Sequence, residues 1–233
     1  MAGLPHLQVT IHFKSGFSIG SGFGLAGVRD VIVMRDSKGL PYVPATSLKG
    51  VIRQACEELS MLLNKPVFHR AVDELKAISA AAAKLDRHKG NANLSPLTQI
   101  FGSSWAPGLF DFGSARLKLK SNLIAPVSRG ATWTEPHNSI NASTGTARAD
   151  HLLALEIASG DLGIPEYLFR FSIEPLSPDI AEPLISLLIC SIRFAERLGS
   201  GKSRGKGVVE MVIDEPYLGK TTEEWVRLTF GEG

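Results

Sequence analysis

Towards its C-terminal end the chain runs Gly199-Ser-Gly-Lys-Ser-Arg-Gly-Lys-Gly207, four glycines interleaved with three cations. Without a Cβ, Gly199, Gly201, Gly205 and Gly207 can take positive φ and let peptide N–H groups close in on an anion. Lys202 and Lys206 add point charges, Arg204 a two-pronged donor suited to phosphate, and Ser203 a hydroxyl. The chemistry this implies is recognition of a polyanion's backbone. A triphosphate loop is the obvious rival, because Gly201-Lys202-Ser203 matches the end of G-x-x-x-x-G-K-[ST]. That motif needs glycine where Glu196 stands, and it needs a strand before and a helix after; here an apolar helical stretch precedes and a strand follows. Gly22-Phe-Gly24-Leu-Ala-Gly27 spells G-x-G-x-x-G, yet the β-branched run Val28–Met34 follows it, not the helix that would hold a pyrophosphate.

A second anion-binding candidate lies at the start of a helix. Pro44 precedes Thr46 and Ser47, either of which can cap, and free N–H groups there join the Ser47 hydroxyl, Lys49 and Arg53. Leu48, Val51, Ile52, Ala55, Leu59 and Leu62 recur at helical spacing and predict the buried face. The two cationic stretches, 47–53 and 199–207, are expected side by side on one ribose-phosphate track.

Composition narrows the class. The 233 residues, 44% hydrophobic, suffice for one full core, and a net charge of +2 places any nucleic-acid affinity in local clusters. Cys56 and Cys190 sit in apolar helical surroundings and read as small buried hydrophobes of a reducing compartment. The six histidines show no metal-ligand spacing, and no apolar run is long enough to cross a bilayer. A cytoplasmic protein with no membrane partner is expected.

Periodicity supplies the elements. Leu7–Ile19 alternates as a half-buried strand, Val28–Arg35 is a second extended run, and Asp36–Gly39 is a turn. A helix follows from Thr46, then a second amphipathic helix over 67–85, within a helical insertion at 66–95. Strands are predicted at Gly108–Leu119, Tyr167–Ile173 and Val208–Ile213, a helix at Ile180–Leu198 ending on Gly199, and an edge strand at Trp225–Phe230. Lys120–Pro165 is a long polar excursion. Without the insertions the order is βαββαβ, a ferredoxin-like α+β fold whose open sheet face nucleic-acid readers commonly use.

Three stretches, in this order, resemble the repeat-associated (RAMP) superfamily of RNA-binding proteins from CRISPR systems. They are Gly39-Leu-Pro-Tyr-Val-Pro-Ala-Thr-Ser-Leu-Lys-Gly-Val-Ile-Arg53, Leu97-Thr-Gln-Ile-Phe-Gly102 with its following strand, and Gly199–Gly207. Within the superfamily the chain looks most like the backbone subunits of type III effectors. That resemblance implies a protein that binds guide RNA, self-associates into a filament with other effector subunits, and cuts the paired target RNA. It nominates Asp30, in Gly27-Val-Arg-Asp30, as the catalytic aspartate with a divalent metal, most simply Mg²⁺. From the residues alone, Asp30 reads as an exposed carboxylate in a surface ion pair with Arg29. The resemblance also makes residues 120–165 the family's thumb, with Trp133, His137 and Arg148 as candidates for base stacking and phosphate contact. The chain departs from the family's pattern at Asn141-Ala142, where Asp-Arg is frequent, and at Ser114, where aspartate is usual. Two alternatives stay open: a non-catalytic structural subunit, and a guide-processing ribonuclease using His12.

Overall fold

The structure is a computed structural model that describes residues 4–20, 31–62, 94–104, 106–214 and 216–230. The helix expected at 67–85 and almost all of the 66–95 insertion lie outside the described residues, as does Asp30.

The main sheet is antiparallel, with β1 (Leu7–Phe13) at its centre. On one side β1 pairs with β7 (Val209–Ile213), and on the other with β6 (Phe169–Pro175). β6 in turn carries β2 (Phe110–Phe112) and β3 (Arg116–Leu117), so the strand order is β2-β6-β1-β7. Leu7, Val9, Ile11 and Phe13 point inward, as their alternation requires, and the register sets Ile11 between Phe169 and Met211. The predicted strand 108–119 is thus two short strands. They are interrupted at Gly113–Ala115, where Ala115 instead exchanges backbone hydrogen bonds with Val43.

Two helices cover the inward face. α1 (Ala45–Leu62) buries Leu48, Ile52, Ala55, Cys56 and Leu59, a helical stripe, against α4 (Glu182–Phe194). Both cysteines are buried among them, and burial pushes both thiols up. A short helix, α2 (Pro96–Phe101), starts at Ser95, whose Oγ accepts the Thr98 N–H.

Four expectations need correction. α1 begins at Ala45, not at a Thr46 or Ser47 cap, because the Ala45 N–H is met by Ser114 Oγ at 3.1 Å from across the sheet edge. α4 ends at Phe194, so Gly199 is not its C′ residue; Ala195 is already extended, and Leu198 pairs with Gly207. The stretch Trp225–Phe230 is no edge strand. It belongs to helix α5 (Thr222–Phe230), whose Trp225 is buried and donates its indole N–H to the Tyr217 carbonyl. Finally, of the run 28–35 the described residues 31–35 make isolated bridges without a continuous ladder.

Between β3 and β6 the polar excursion is ordered. Helix α3 (Ser121–Gly130) leads into a separate two-stranded hairpin, β4 (Thr132–Ile140) and β5 (Ala147–Ala158). At about 3.4 Å per residue, β4's nine residues span about 27 Å. The turn at its tip is built on Asn141, whose Oδ1 accepts the backbone N–H and hydroxyl of Ser143, so the residues that depart from the family's pattern make an Asx turn.

Candidate nucleic-acid interface

The short run Phe17–Ile19, just beyond β1, is the point on which three functional segments converge. Phe17 exchanges hydrogen bonds with Ala158 at the base of the hairpin. The Ser18 carbonyl accepts the Ser200 N–H at 2.8 Å, and the Ile19 carbonyl accepts the Met34 N–H at 3.0 Å. The hairpin base, the glycine-rich loop and the extended run that follows residue 30 therefore meet within three residues. Beneath them, Phe13 and Phe17 stack at 3.9 Å between ring centres and Phe169 packs edge-on to both, which anchors the junction in the core.

The glycine-rich loop folds as its composition demands. Gly199, Gly201, Gly205 and Gly207 all have φ between 68° and 87°, with a single 3₁₀ turn (Lys202–Arg204) between the middle pair. A Cβ on Gly207 would stand 1.8 Å from the Leu198 carbonyl oxygen, so a side chain there is excluded. The loop's register is set by Gly207 N–H on the Gly16 carbonyl and by Val208 N–H on Ser15 Oγ. Arg197, which sequence inspection passed over, donates to the Lys202 carbonyl and braces the turn. Among the described residues neither Lys202 nor Arg204 pairs with a carboxylate, and Ser203 and Arg204 are exposed.

The cationic stretches at 47–53 and 199–207 are brought together in part. Val51, Gln54 and Glu58 of α1 line one cleft with Arg197 and Lys202, and Ser47 lies one turn before Val51 on the same row. Lys49 and Arg53 point along the other flank. Lys49 Nζ lies 5.8 Å from the centre of the Phe112 ring, while Arg53 donates to Glu57 and to the Gly102 carbonyl. Helical spacing explains the split: residues 47, 51, 54 and 58 share a face that 49 and 53 do not.

The hairpin's candidates divide by height. Trp133 and His137 are on the face of β4 that meets the loop, and Glu135 stands between them. Lys206 Nζ donates to Glu135 Oε1 at 2.6 Å, and Trp133 Nε1–H donates to the same oxygen at 2.9 Å. His137 Nε2 lies 3.7 Å from the other carboxylate oxygen. The hydrogen bond from Lys206 holds the Glu135 carboxyl below the usual carboxylate range, with the indole N–H adding to it. The Trp133 ring also seals against Gly16, where a Cβ would meet it at 2.8 Å. Arg148 lies near the tip, nine residues along β5 from the partner of Trp133, or about 30 Å away. It is not part of this cluster.

A buried ion pair fixes the hairpin's root. Glu156 has no exposed surface; it accepts the Val33 N–H at 2.9 Å, Arg35 Nη2 at 2.8 Å and the Thr132 hydroxyl at 2.9 Å. Burial by itself would raise this carboxyl, but Arg35, Val33 and Thr132 together hold it low. Arg35 also donates to the carbonyls of Gly39 and Ser128, and the Glu156 N–H bonds the Val31 carbonyl. The chain is thereby pinned from the residue that directly follows position 30.

The outward face of the main sheet is of mixed sign. Asp111, Glu174, Glu210 and Asp214 are interspersed with Lys14, Arg116 and Arg170, and its strands put no aromatic there. His12 stands opposite Glu210 in register and shares a cleft with Lys14, Asp161 and Tyr167, apart from the glycine-rich loop. Among the described residues no group of three or more His, Cys, Asp or Glu is placed to hold a metal, and no helix is long and apolar enough to cross a membrane.

Fold and site together define an α+β protein in which a cationic glycine-rich loop enters the last strand of an antiparallel sheet beside a projecting hairpin. The family model described as "RAMP superfamily" matches residues 10–210, and the chain belongs to that superfamily. A search of curated proteins gives no match. Among solved structures, the chain is similar to one from a cryo-EM structure of the type III-B Cmr-β bound to cognate target RNA. The TM-score is 0.61 at 12% identity, with 96% of this chain and 99% of that one covered.

Proposed function

We propose that this protein is an RNA-binding backbone subunit of a type III CRISPR effector. The carrying observation is the convergence of the glycine-rich cationic loop, the base of the hairpin and the run after residue 30 on Phe17–Ile19. Membership of the RAMP superfamily and the likeness to a Cmr-β chain support this reading. The strand order β2-β6-β1-β7, with helices on one face, supports a ferredoxin-like core, and the β4–β5 hairpin fits the thumb.

In this reading the loop grips guide RNA through phosphate and 2′-OH contacts independent of sequence. Backbone N–H groups, Lys202, Ser203 and Arg204 supply them, with Ser47 on the adjoining row of α1. The mixed charge of the open sheet face disfavours that face as the track. Target RNA pairs with the guide across the thumb, where Arg148 near the tip contacts its backbone. The subunit repeats along the guide as a filament beside other effector subunits.

Asp30 is assigned the cutting of target RNA, and its carboxylate, together with RNA phosphate oxygens, would hold a divalent metal. Mg²⁺ needs only one or two protein oxygens, and it would stabilise charge developing on the phosphate. The test is cleavage of complementary RNA by the assembled complex. Asp30→Ala is expected to abolish cutting while the complex still forms on guide RNA. Unchanged cutting would refute the catalytic assignment, and failure of the wild-type chain to copurify with short RNAs of uniform length would refute the RNA-binding one.

A further inference from the structure

Two donors at the hairpin base, Lys206 Nζ and Trp133 Nε1–H, converge on a single carboxylate, Glu135, with the His137 ring 3.7 Å from its other oxygen. They come from two elements, the glycine-rich loop and β4. Lys206 also stands 5.9 Å from the centre of the Trp133 ring, so the indole face and edge both point at the cluster. Neither partner is sealed in: the side chains of Lys206 and Glu135 remain 23% and 26% exposed. Lys202 and Arg204 of the same loop have no carboxylate partner among the described residues, so Lys206 is the one loop cation whose charge is already answered.

We propose that the base of the hairpin is a phosphodiester-binding subsite whose resident anion is Glu135, displaced when an RNA phosphate reaches Lys206 and Trp133. The proposal rests on the RNA-binding reading above and assigns to the site a built-in competitor. A carboxylate and a phosphate oxygen accept from the same donors at similar distances, so the exchange keeps the ammonium and the indole N–H satisfied. Its consequence is selective: a neutral or weakly charged ligand cannot evict the carboxylate, whereas a polyanion already held by Lys202 and Arg204 can. Glu135 thus sets how much flanking backbone the loop must hold before the hairpin base engages.

The experiment measures binding of a fluorescein-labelled single-stranded RNA to the full chain by anisotropy, in low and in moderate salt. Glu135→Gln keeps the shape and can still accept the indole N–H, but it removes the competing charge. It is expected to bind about two- to five-fold tighter, the scale of one partly screened ion pair. Lys206→Met is expected to bind more weakly and to erase the gain in the Glu135→Gln/Lys206→Met double variant, since coupled residues are non-additive. The Trp133 indole N–H resonance should shift as RNA is titrated into the wild type and much less in Lys206→Met. Binding by Glu135→Gln that equals or falls below the wild type, with unchanged thermal unfolding, would make Glu135 a brace and overturn the proposal alone. Absence of RNA binding by the wild type would overturn both it and the functional reading beneath it.

Discussion

Removing the guanidinium from Arg35 takes a charge partner from a carboxylate in the core. Arg35→Met fills much of the same volume but leaves Glu156, with no exposed surface, without that cation, while the Val33 N–H and the Thr132 hydroxyl still donate to it. Breaking one side of a buried pair typically costs about 3–5 kcal/mol, a large share of the 5–15 kcal/mol that holds a domain together. For a domain of this size that is a fall in Tm of about 6–20 °C. Urea titration followed by far-UV circular dichroism reads the loss as a lower midpoint at unchanged slope. Glu156→Gln should cost less, about 1.5–3 kcal/mol, since the amide still accepts from Val33 and Arg35 retains some solvent. The double variant Arg35→Met/Glu156→Leu should regain only part of the stability, because it leaves no buried carboxylate but takes the acceptor from the Val33 N–H and the Thr132 hydroxyl. A loss below about 1 kcal/mol for Arg35→Met would show that the pair is exchanged with water and that the hairpin root is held by other contacts.

Three further outcomes follow from the same geometry. Gly207→Ala should destabilise by about 1–3 kcal/mol and weaken RNA binding, since both its φ of 68° and the Leu198 carbonyl forbid a Cβ; Gly205→Ala, with φ of 76° but open space, should cost about 1 kcal/mol. Glu156 has its pKa lowered by folding, so its stabilisation is complete above the unfolded carboxylate value and disappears as pH falls through the lower folded one; urea midpoints below about pH 5 should drop less steeply in Glu156→Gln than in the wild type. Lys202→Ala/Arg204→Ala should reduce the slope of log affinity against log salt by about 1.4, two single-strand phosphate contacts, in the anisotropy titration.

Much of the frame was legible because its periods are clean. The alternation of Leu7 to Phe13 and the helical stripe from Leu48 to Leu59 report the two faces of one core, and interleaved glycine and cation report a loop of positive-φ backbone. Other signals were present but outweighed. Thr221-Thr-Glu-Glu224 is a capping box, with Glu224 accepting the Thr221 N–H and Thr221 Oγ1 accepting the Glu224 N–H, yet the β-formers in Trp225–Phe230 suggested a strand. What no local pattern shows are partners distant in sequence. Ser114 satisfies a helix N-terminus sixty-nine residues away, Glu156 reaches back to Arg35, and Glu135 meets Lys206 seventy-one residues on. Each looks like an ordinary polar residue until the chain is closed. Lys49 and Arg53 show the converse, since proximity in sequence to Ser47 does not give a shared direction on a helix.

The β4–β5 hairpin is held at its root by the Arg35, Thr132 and Glu156 network. Over about 27 Å of strand, tilting the root by 10° would swing the far end, and Arg148 near it, by about 5 Å. Where the tip lands is therefore decided at its foot, among Arg35, Thr132 and Glu156, residues that never touch what the tip would touch. The position of the tip is thus open to change through substitutions at the root, without altering a single exposed side chain.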